Sequence, residues 1–185
     1  SKGKAGESLV EQKVIIVTGG AQGFGEGIAS DLATRGANVI IADINEERGI
    51  EAAVNISQNT SKNEVLFHKT NVTDPMSIQQ LIQKAVEWYG GLDIYISNAG
   101  ILRAGSLEEM DPVTFDLMTK VNYEAWFLAA KYASPVLKLQ NRFKKDYFTD
   151  LIQINSKSGL KGSNKNFAYA GAKFGGIGLT QSFAM

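Results

Sequence analysis

Short apolar runs alternate along the chain with longer segments whose apolar residues return every third or fourth position. Val14–Thr18 (VIIVT) and Asn38–Asp43 (NVIIAD) are almost unbroken β-branched runs. That is the pattern of strands buried on both faces. Between them, residues 24–35 put Ile28, Ala29, Leu32 and Ala33 on one helical face, and Gly36 suits the helix end. The alternation continues with a polar-rich helix over Glu46–Gln58 and a strand over 64–69. Asp74 then caps a helix that Pro75 opens and that runs to Tyr89. A strand at Ile94–Ser97, a long helix over 113–138, a strand over 151–154 and a last helix over 169–184 complete the pattern.

Strand–helix alternation of this kind predicts an α/β fold in three layers: a doubly wound parallel sheet, right-handed crossovers and helices on both faces. Residues 13–185 read as one domain, with 1–12 as a flexible lead-in and no internal repeat or linker. The polar and aromatic stretch 141–150 reads as a surface extension before the fifth strand. The chain ends at Met185 within an amphipathic helix, so one or more C-terminal strands are expected to be missing from this fragment of the sheet.

Composition narrows the function classes. Nineteen basic residues balance nineteen acidic ones, which points away from nucleic acid or a membrane surface as the partner. No apolar run has the length of a membrane span, and a soluble cytoplasmic protein is expected. The chain has no cysteine, so thiolate chemistry and disulfides are excluded. A single histidine, His68, argues against a metal site, and its place at a strand end suits a partly buried structural role.

"VTGGAQGFGEGIA" directly follows the first strand and opens the first helix. In that context glycines carry chemistry. Gly19 permits a tight turn, Gly23 lets the backbone approach a diphosphate, and Gly25 lets the helix pack on the sheet. The helix N-terminus offers N–H groups and a partial positive charge to phosphates. Asp43, at the end of the second strand, suits the two hydroxyls of an adenosine ribose and opposes a 2′-phosphate, so NAD is favoured over NADP. Its competing reading is a cap for the helix that follows. Gln22 and Ile44 bring no positive charge to this end, whereas Arg35 and Arg48 are within reach of it.

Residues 155–174, NSKSGLKGSNKNFAYAGAKF, hold three serines, four lysines and a tyrosine. Tyr169 and Lys173 stand four apart on one helix, so the lysine charge favours a tyrosinate able to take a proton from an alcohol.

Together these motifs resemble the short-chain dehydrogenase/reductase family over about residues 13–185. "TGGAQGFG" matches its glycine turn, "NVTD" at 71–74 its adenine segment, "NAG" at 98–100 its sheet-stabilising motif, and "YAGAK" its Tyr-Lys pair. The resemblance implies a Rossmann-type sheet. It also implies a cofactor site of Gly19, Gln22, Gly23, Phe24, Gly25, Asp43, Ile44, Asn71, Val72, Asn98, Ala99, Gly100, Tyr169 and Lys173. It implies catalysis by Ser156, Tyr169 and Lys173, with Asn122 of "VN" carrying a relay water. The family's serine-to-tyrosine spacing singles out Ser156 over Ser158 and Ser163.

"SKSG" and "AKFGG" carry a narrower resemblance to sorbitol-6-phosphate 2-dehydrogenases. This implies a polyol or polyol-phosphate substrate, with Arg103 and Lys157 as candidate phosphate ligands. The family's paired long helices imply a homotetramer, with 123–132 facing either a partner or the core. Two departures stand out: no glycine precedes the fifth strand, and the family's C-terminal substrate loop lies beyond this sequence. The alternative readings are a 3-oxoacyl-thioester reductase of the same family and a dinucleotide sensor without catalysis.

Overall fold

The computed structural model describes residues 8–60, 64–143 and 147–185. Among them, β1 (Val14–Thr18), β2 (Asn38–Asp43), β3 (Val65–Lys69), β4 (Ile94–Ser97) and β5 (Asp150–Gln153) form one sheet in the order β3-β2-β1-β4-β5. Every pairing is parallel. The helices are α1 (Gly23–Thr34), α2 (Glu46–Gln58), α3 (Pro75–Tyr89), α4 (Pro112–Thr119), α5 (Ala125–Phe143) and α6 (Phe167–Phe183).

Alternate residues of each strand face opposite sides, which divides the interior into two cores. Ile15, Val17, Val39 and Ile41 pack with Ala29 and Ala33 of α1 and Ala52, Ala53 and Ile56 of α2. Ile16, Ile40 and Tyr95 pack with Ile78, Leu81 and Ala85 of α3 and Trp126, Ala129 and Ala133 of α5. The two-sided burial explains why β1 and β2 are continuous apolar runs. Strand order reverses at β1, which has β2 on one side and β4 on the other. The carboxyl ends of β1 and β4 therefore diverge into a crevice, the place where such sheets bind ligands.

Several boundaries shift by one or two residues from the sequence reading, and three differences bear on the site. The long helix expected over 113–138 is two helices joined through a π-helical turn, Lys120–Glu124, and α5 runs on to Phe143. α6 starts at Phe167, one half-turn before Tyr169. β5 starts at Asp150, an exposed position on an edge strand that no apolar pattern marks.

The stretch 141–150 is more than a surface extension; residues 144–146 of it lie outside the described ones. Residues 141–143 close α5, and Tyr147 and Phe148 fold beneath β1. There the buried Lys13 ammonium donates to the Phe148 carbonyl at 3.0 Å and lies 3.2 Å from the Tyr147 ring centroid. Asp93, also buried, accepts from Val14 N–H at 2.7 Å, from Gln140 Nε2 at 3.0 Å and from the Tyr147 hydroxyl. Of the expected lead-in, residues 1–7 lie outside the described ones. The rest turns against the domain, with Gln12 N–H donating to the Gly36 carbonyl at 2.7 Å.

Candidate active site

All five strands end at one edge of the sheet, and a cleft of about 760 Å³ opens there. Its lining draws on each strand end: Gly19 after β1, Asp43 of β2, Thr70 after β3, Asn98–Gly100 after β4 and Ile154–Ser156 after β5.

At one end stands the glycine turn. Gly19 (φ +62°) and Gly23 (φ +59°) adopt the left-handed conformation that glycine takes without strain. A methyl group on Gly25 would fall on the Gly19 carbonyl and lie 2.5 Å from Asn98 Nδ2, so α1 seats against the sheet only with glycine there. On Gly23 it would meet nothing within 4 Å. Gln22, the N-cap residue, makes no side-chain cap bond, which leaves the first N–H groups of α1 to a ligand. An open backbone cradle at an uncapped helix N-terminus fits the diphosphate of a dinucleotide.

Asp43 accepts from Ala21 N–H at 3.2 Å and from Asn45 N–H at 3.0 Å. The cap of α2 is Asn45, whose side chain accepts from Arg48 N–H at 3.1 Å. The competing cap reading of Asp43 therefore fails: its carboxylate is fixed at the cleft wall beside the glycine turn. Arg35 is paired with Asp31 on the surface of α1, whereas the Arg48 guanidinium donates to Gln22 Oε1 at the cleft rim.

The floor is held by Thr18 and Asn98. Asn98 N–H and Ala99 N–H donate to Thr18 Oγ1 at 3.0 and 3.1 Å, and Asn98 Nδ2 donates to the carbonyls of Thr18 and Gly19 at 3.0 and 3.2 Å. On the β3 side, Asn71 Oδ1 accepts from Thr73 N–H and shapes the turn that presents Val72 to the cleft.

At the other end Ser156, Tyr169 and Lys173 line the same cleft. Lys173 is 5% exposed. Its ammonium donates to the Ile154 carbonyl at 2.9 Å and lies 5.5 Å from the Tyr169 ring centroid. Burial holds its proton affinity below the ordinary lysine range. Asn155, a residue the sequence reading passed over, links the two elements of the set: its Nδ2 donates to the Lys173 carbonyl at 3.0 Å and its Oδ1 accepts from Ser156 N–H at 2.7 Å. Ser156 Oγ accepts from Ser158 N–H at 3.2 Å, which leaves its own hydroxyl proton to donate elsewhere.

Gln22, Phe24, Ile44, Asn71, Val72, Asn98, Ala99, Gly100 and Arg103 all line the cleft. Two expected residues do not. Lys157 is exposed on a short 3₁₀ turn away from the lining. Asn122, expected to carry a relay water, is 3% exposed, and its side-chain amide is bound to protein groups. It donates to the carbonyls of Ile101 and Met118 at 2.9 Å each and accepts from Ile101 N–H at 3.1 Å. The side chain thus fixes the loop after β4 to the π turn. Thr70, Ile101, Leu102, Leu117 and Val121 also line the cleft and were not singled out. For Thr70 the signal was its place immediately after a strand, and Val121 stands in the "VN" pair; no sequence pattern marked Ile101, Leu102 or Leu117.

His68 lies outside the cleft, half-buried, with Nδ1 3.0 Å from Thr70 Oγ1 and its ring edge-on to Trp88. Burial, and secondly Lys84, lower its proton affinity. Among the described residues no helix is long and apolar enough to cross a membrane, and no cluster of three or more acidic, histidine or cysteine side chains is placed to hold a metal ion.

The family model for short chain dehydrogenases matches residues 13–185. A trans-4-hydroxycyclohexanecarboxylate dehydrogenase of Sinomonas cyclohexanicum is 37% identical over 180 residues, covering 95% of this chain and 67% of that protein. A sorbitol-6-phosphate 2-dehydrogenase of Escherichia coli (strain K12) is 32% identical over 176 residues, covering 94% and 65%. The chain thus spans about two thirds of the length of these curated relatives. In fold it superposes with a TM-score of 0.87 on a short chain dehydrogenase/reductase of Burkholderia phymatum in complex with NAD, at 23% identity, covering 94% of this chain and 59% of that one.

Proposed function

The chain belongs to the short chain dehydrogenase family, and we propose that the protein is an NAD-linked oxidoreductase that interconverts a secondary alcohol and its ketone. One observation carries this reading: Ser156, Tyr169 and Lys173 line the same cleft as the open glycine turn and Asp43. The glycine turn would hold the diphosphate, Asp43 the adenosine ribose, and Lys173 the nicotinamide ribose. NAD, when bound, supplies the hydride acceptor.

Alcohol oxidation breaks the carbinol O–H and C–H bonds and forms the carbonyl. The proton goes to Tyr169 as phenolate. The buried ammonium of Lys173 lies 5.5 Å from the Tyr169 ring centroid, one helical turn away. Ser156, with its acceptor side held by Ser158 N–H, donates its hydroxyl proton to the substrate oxygen and steadies it. Asn122 acts as a positioning residue that holds the wall carrying Ile101.

The relatives named above act on a hydroxycyclohexanecarboxylate and on a sorbitol phosphate, both secondary alcohols that carry an anion. Sorbitol 6-phosphate is one candidate substrate here. Reduction of a 3-oxoacyl thioester is the alternative within the family, and Asp43 opposes the 2′-phosphate of an NADP-linked version. A sensor that binds NAD without chemistry is a further alternative, and the intact Ser156, Tyr169 and Lys173 set opposes it.

Self-association belongs to the same proposal. Within 123–132, Trp126 and Leu128 are buried in the core while Phe127 is 41% exposed. Phe127 is the residue we assign to a contact with a second copy.

The test is formation of NADH, followed at roughly 340 nm, by the full protein with NAD and a panel of secondary alcohols, polyols and polyol phosphates. NADH from one class supports the reading and names the substrate. NAD binding without NADH from any of them would favour the sensor.

A further inference from the structure

We propose, resting on the oxidoreductase reading above, that the alcohol taken by this site is a hydroxy acid. Its hydrocarbon body bears the secondary hydroxyl and ends in a carboxylate held by Arg103. The argument begins with the wall beside Tyr169. Gly105 N–H donates to the Lys165 carbonyl at 2.8 Å, and Phe115 of α4 stacks on Phe167 in the first turn of α6, with centroids 6.3 Å apart. These contacts bring the loop after β4 and α4 against the turn of α6 that carries Tyr169.

From that loop, α4 and the π turn, the cleft is lined by Ile101, Leu102, Leu117 and Val121. None of these side chains has a hydrogen-bonding group, and Leu102 and Leu117 are about half exposed. A polyol chain laid along such a wall finds no side-chain partner for its hydroxyls on that side. A hydrocarbon body loses nothing there and removes exposed apolar surface from water.

Three charged side chains line the cleft among the described residues: Asp43, Lys173 and Arg103. Asp43 belongs to the glycine-turn end, and Lys173 is buried on the Ile154 carbonyl. Arg103 remains as the cation of the substrate end. Among the described residues it makes no ion pair; its guanidinium reaches only the neighbouring Leu102 carbonyl, at 3.3 Å. A guanidinium in a cleft with no carboxylate beside it suits an anionic end group on the ligand, which its planar fork can engage through two N–H groups. Lys157, the second cation that a phosphate clamp was expected to use, is not in the lining.

Turnover of such a substrate leaves the carboxylate unchanged. The carbinol becomes a ketone, both electrons leave with the hydride to NAD, and the hydroxyl proton passes to Tyr169.

The experiment compares initial rates of the full protein with NAD on linear and cyclic hydroxy acids, each beside its methyl ester, and on sorbitol 6-phosphate. Acids are expected to exceed their esters and sorbitol 6-phosphate in kcat/KM by about 10-fold or more. Arg103→Ala should lower kcat/KM for the acid by about 10- to 100-fold, chiefly through KM, and so collapse the acid-to-ester ratio. Arg103→Lys should restore part of that ratio.

Equal losses on acid and ester in Arg103→Ala, or preference for sorbitol 6-phosphate over every hydroxy acid, would overturn the proposal. Oxidation of neutral secondary alcohols with refusal of acids would overturn it and leave the oxidoreductase reading standing. NAD binding seen by calorimetry, with no NADH from any compound, would overturn both.

Discussion

Asn98 is bound to Thr18 twice, N–H to Oγ1 at 3.0 Å and Nδ2 to the carbonyl oxygen at 3.0 Å, so the carboxyl ends of β4 and β1 are held at a fixed separation. Thr18 Oγ1 also accepts from Ala99 N–H and is 1% exposed. Thr18→Val keeps the shape and removes the acceptor, leaving two N–H groups without it. The expected loss is about 3 kcal/mol, with Tm lower by ~6–12 °C, measured by thermal denaturation. An unchanged Tm would mean that water or a shifted backbone replaces the hydroxyl.

Two neighbouring glycines should fail in different ways. Gly25→Ala drives a methyl into the Gly19 carbonyl and Asn98 and should cost about 3 kcal/mol or more in urea denaturation. Gly23→Ala meets no neighbour and should cost only about 1–2 kcal/mol for its left-handed φ. It should nevertheless weaken NAD binding about 10-fold or more, because the methyl enters the diphosphate path. Calorimetric titration of the two variants separates the effects.

Asp43→Ser removes the carboxylate from the ribose end and withdraws acceptors from Ala21 and Asn45. NAD should bind about 10-fold more weakly while NADP improves, with the Arg48 guanidinium already at the rim through Gln22. If the ratio of the two dissociation constants did not move, Asp43 would not be the discriminating group.

Lys173 weighs on stability in a pH-dependent way. Burial depresses its proton affinity from the ordinary 10.5. Below the depressed value it is charged in the folded and unfolded chains alike, and its desolvation opposes folding in full. As pH rises through that value toward 10.5, the folded chain releases the proton first and the penalty fades. Lys173→Met should therefore be more stable than the parent near neutrality, with an advantage that shrinks in alkali, as urea curves at about pH 7 and about pH 10 would show. The same variant should lose turnover.

Tyr169→Phe keeps the ring on α6 and removes the proton acceptor. Turnover should fall by roughly 10²–10⁴-fold with NAD affinity little altered. Parallel loss of NAD binding would assign Tyr169 to the cofactor alone.

The strands β1, β2 and β4 were legible in the sequence because burial on both faces writes them as unbroken apolar runs. β5 was displaced by one residue because Asp150 and Ile152 are exposed at a sheet edge, where that constraint lapses. The glycine turn and Asp43 were legible because their backbone demands are local. Asn155 and the apolar wall were not, since their roles arise only where β5, α4 and α6 meet in space. Lys157 misled because adjacency to Ser156 says little about direction: the 3₁₀ turn carries its side chain off the cleft.

The π turn at Lys120–Glu124 adds one residue to what would otherwise be an unbroken α-helix. Without that surplus residue, everything from Ala125 onward would rotate by about a quarter turn relative to α4. The surplus residue thus lets Asn122 hold Ile101, and with it the loop bearing Arg103, while α5 keeps its apolar face on the sheet. Loss of a single codon in this short window would thus yield a more regular helix whose Trp126, Ala129 and Ala133 no longer face the core, so the irregular turn serves the packing of α5 and the mouth of the cleft together.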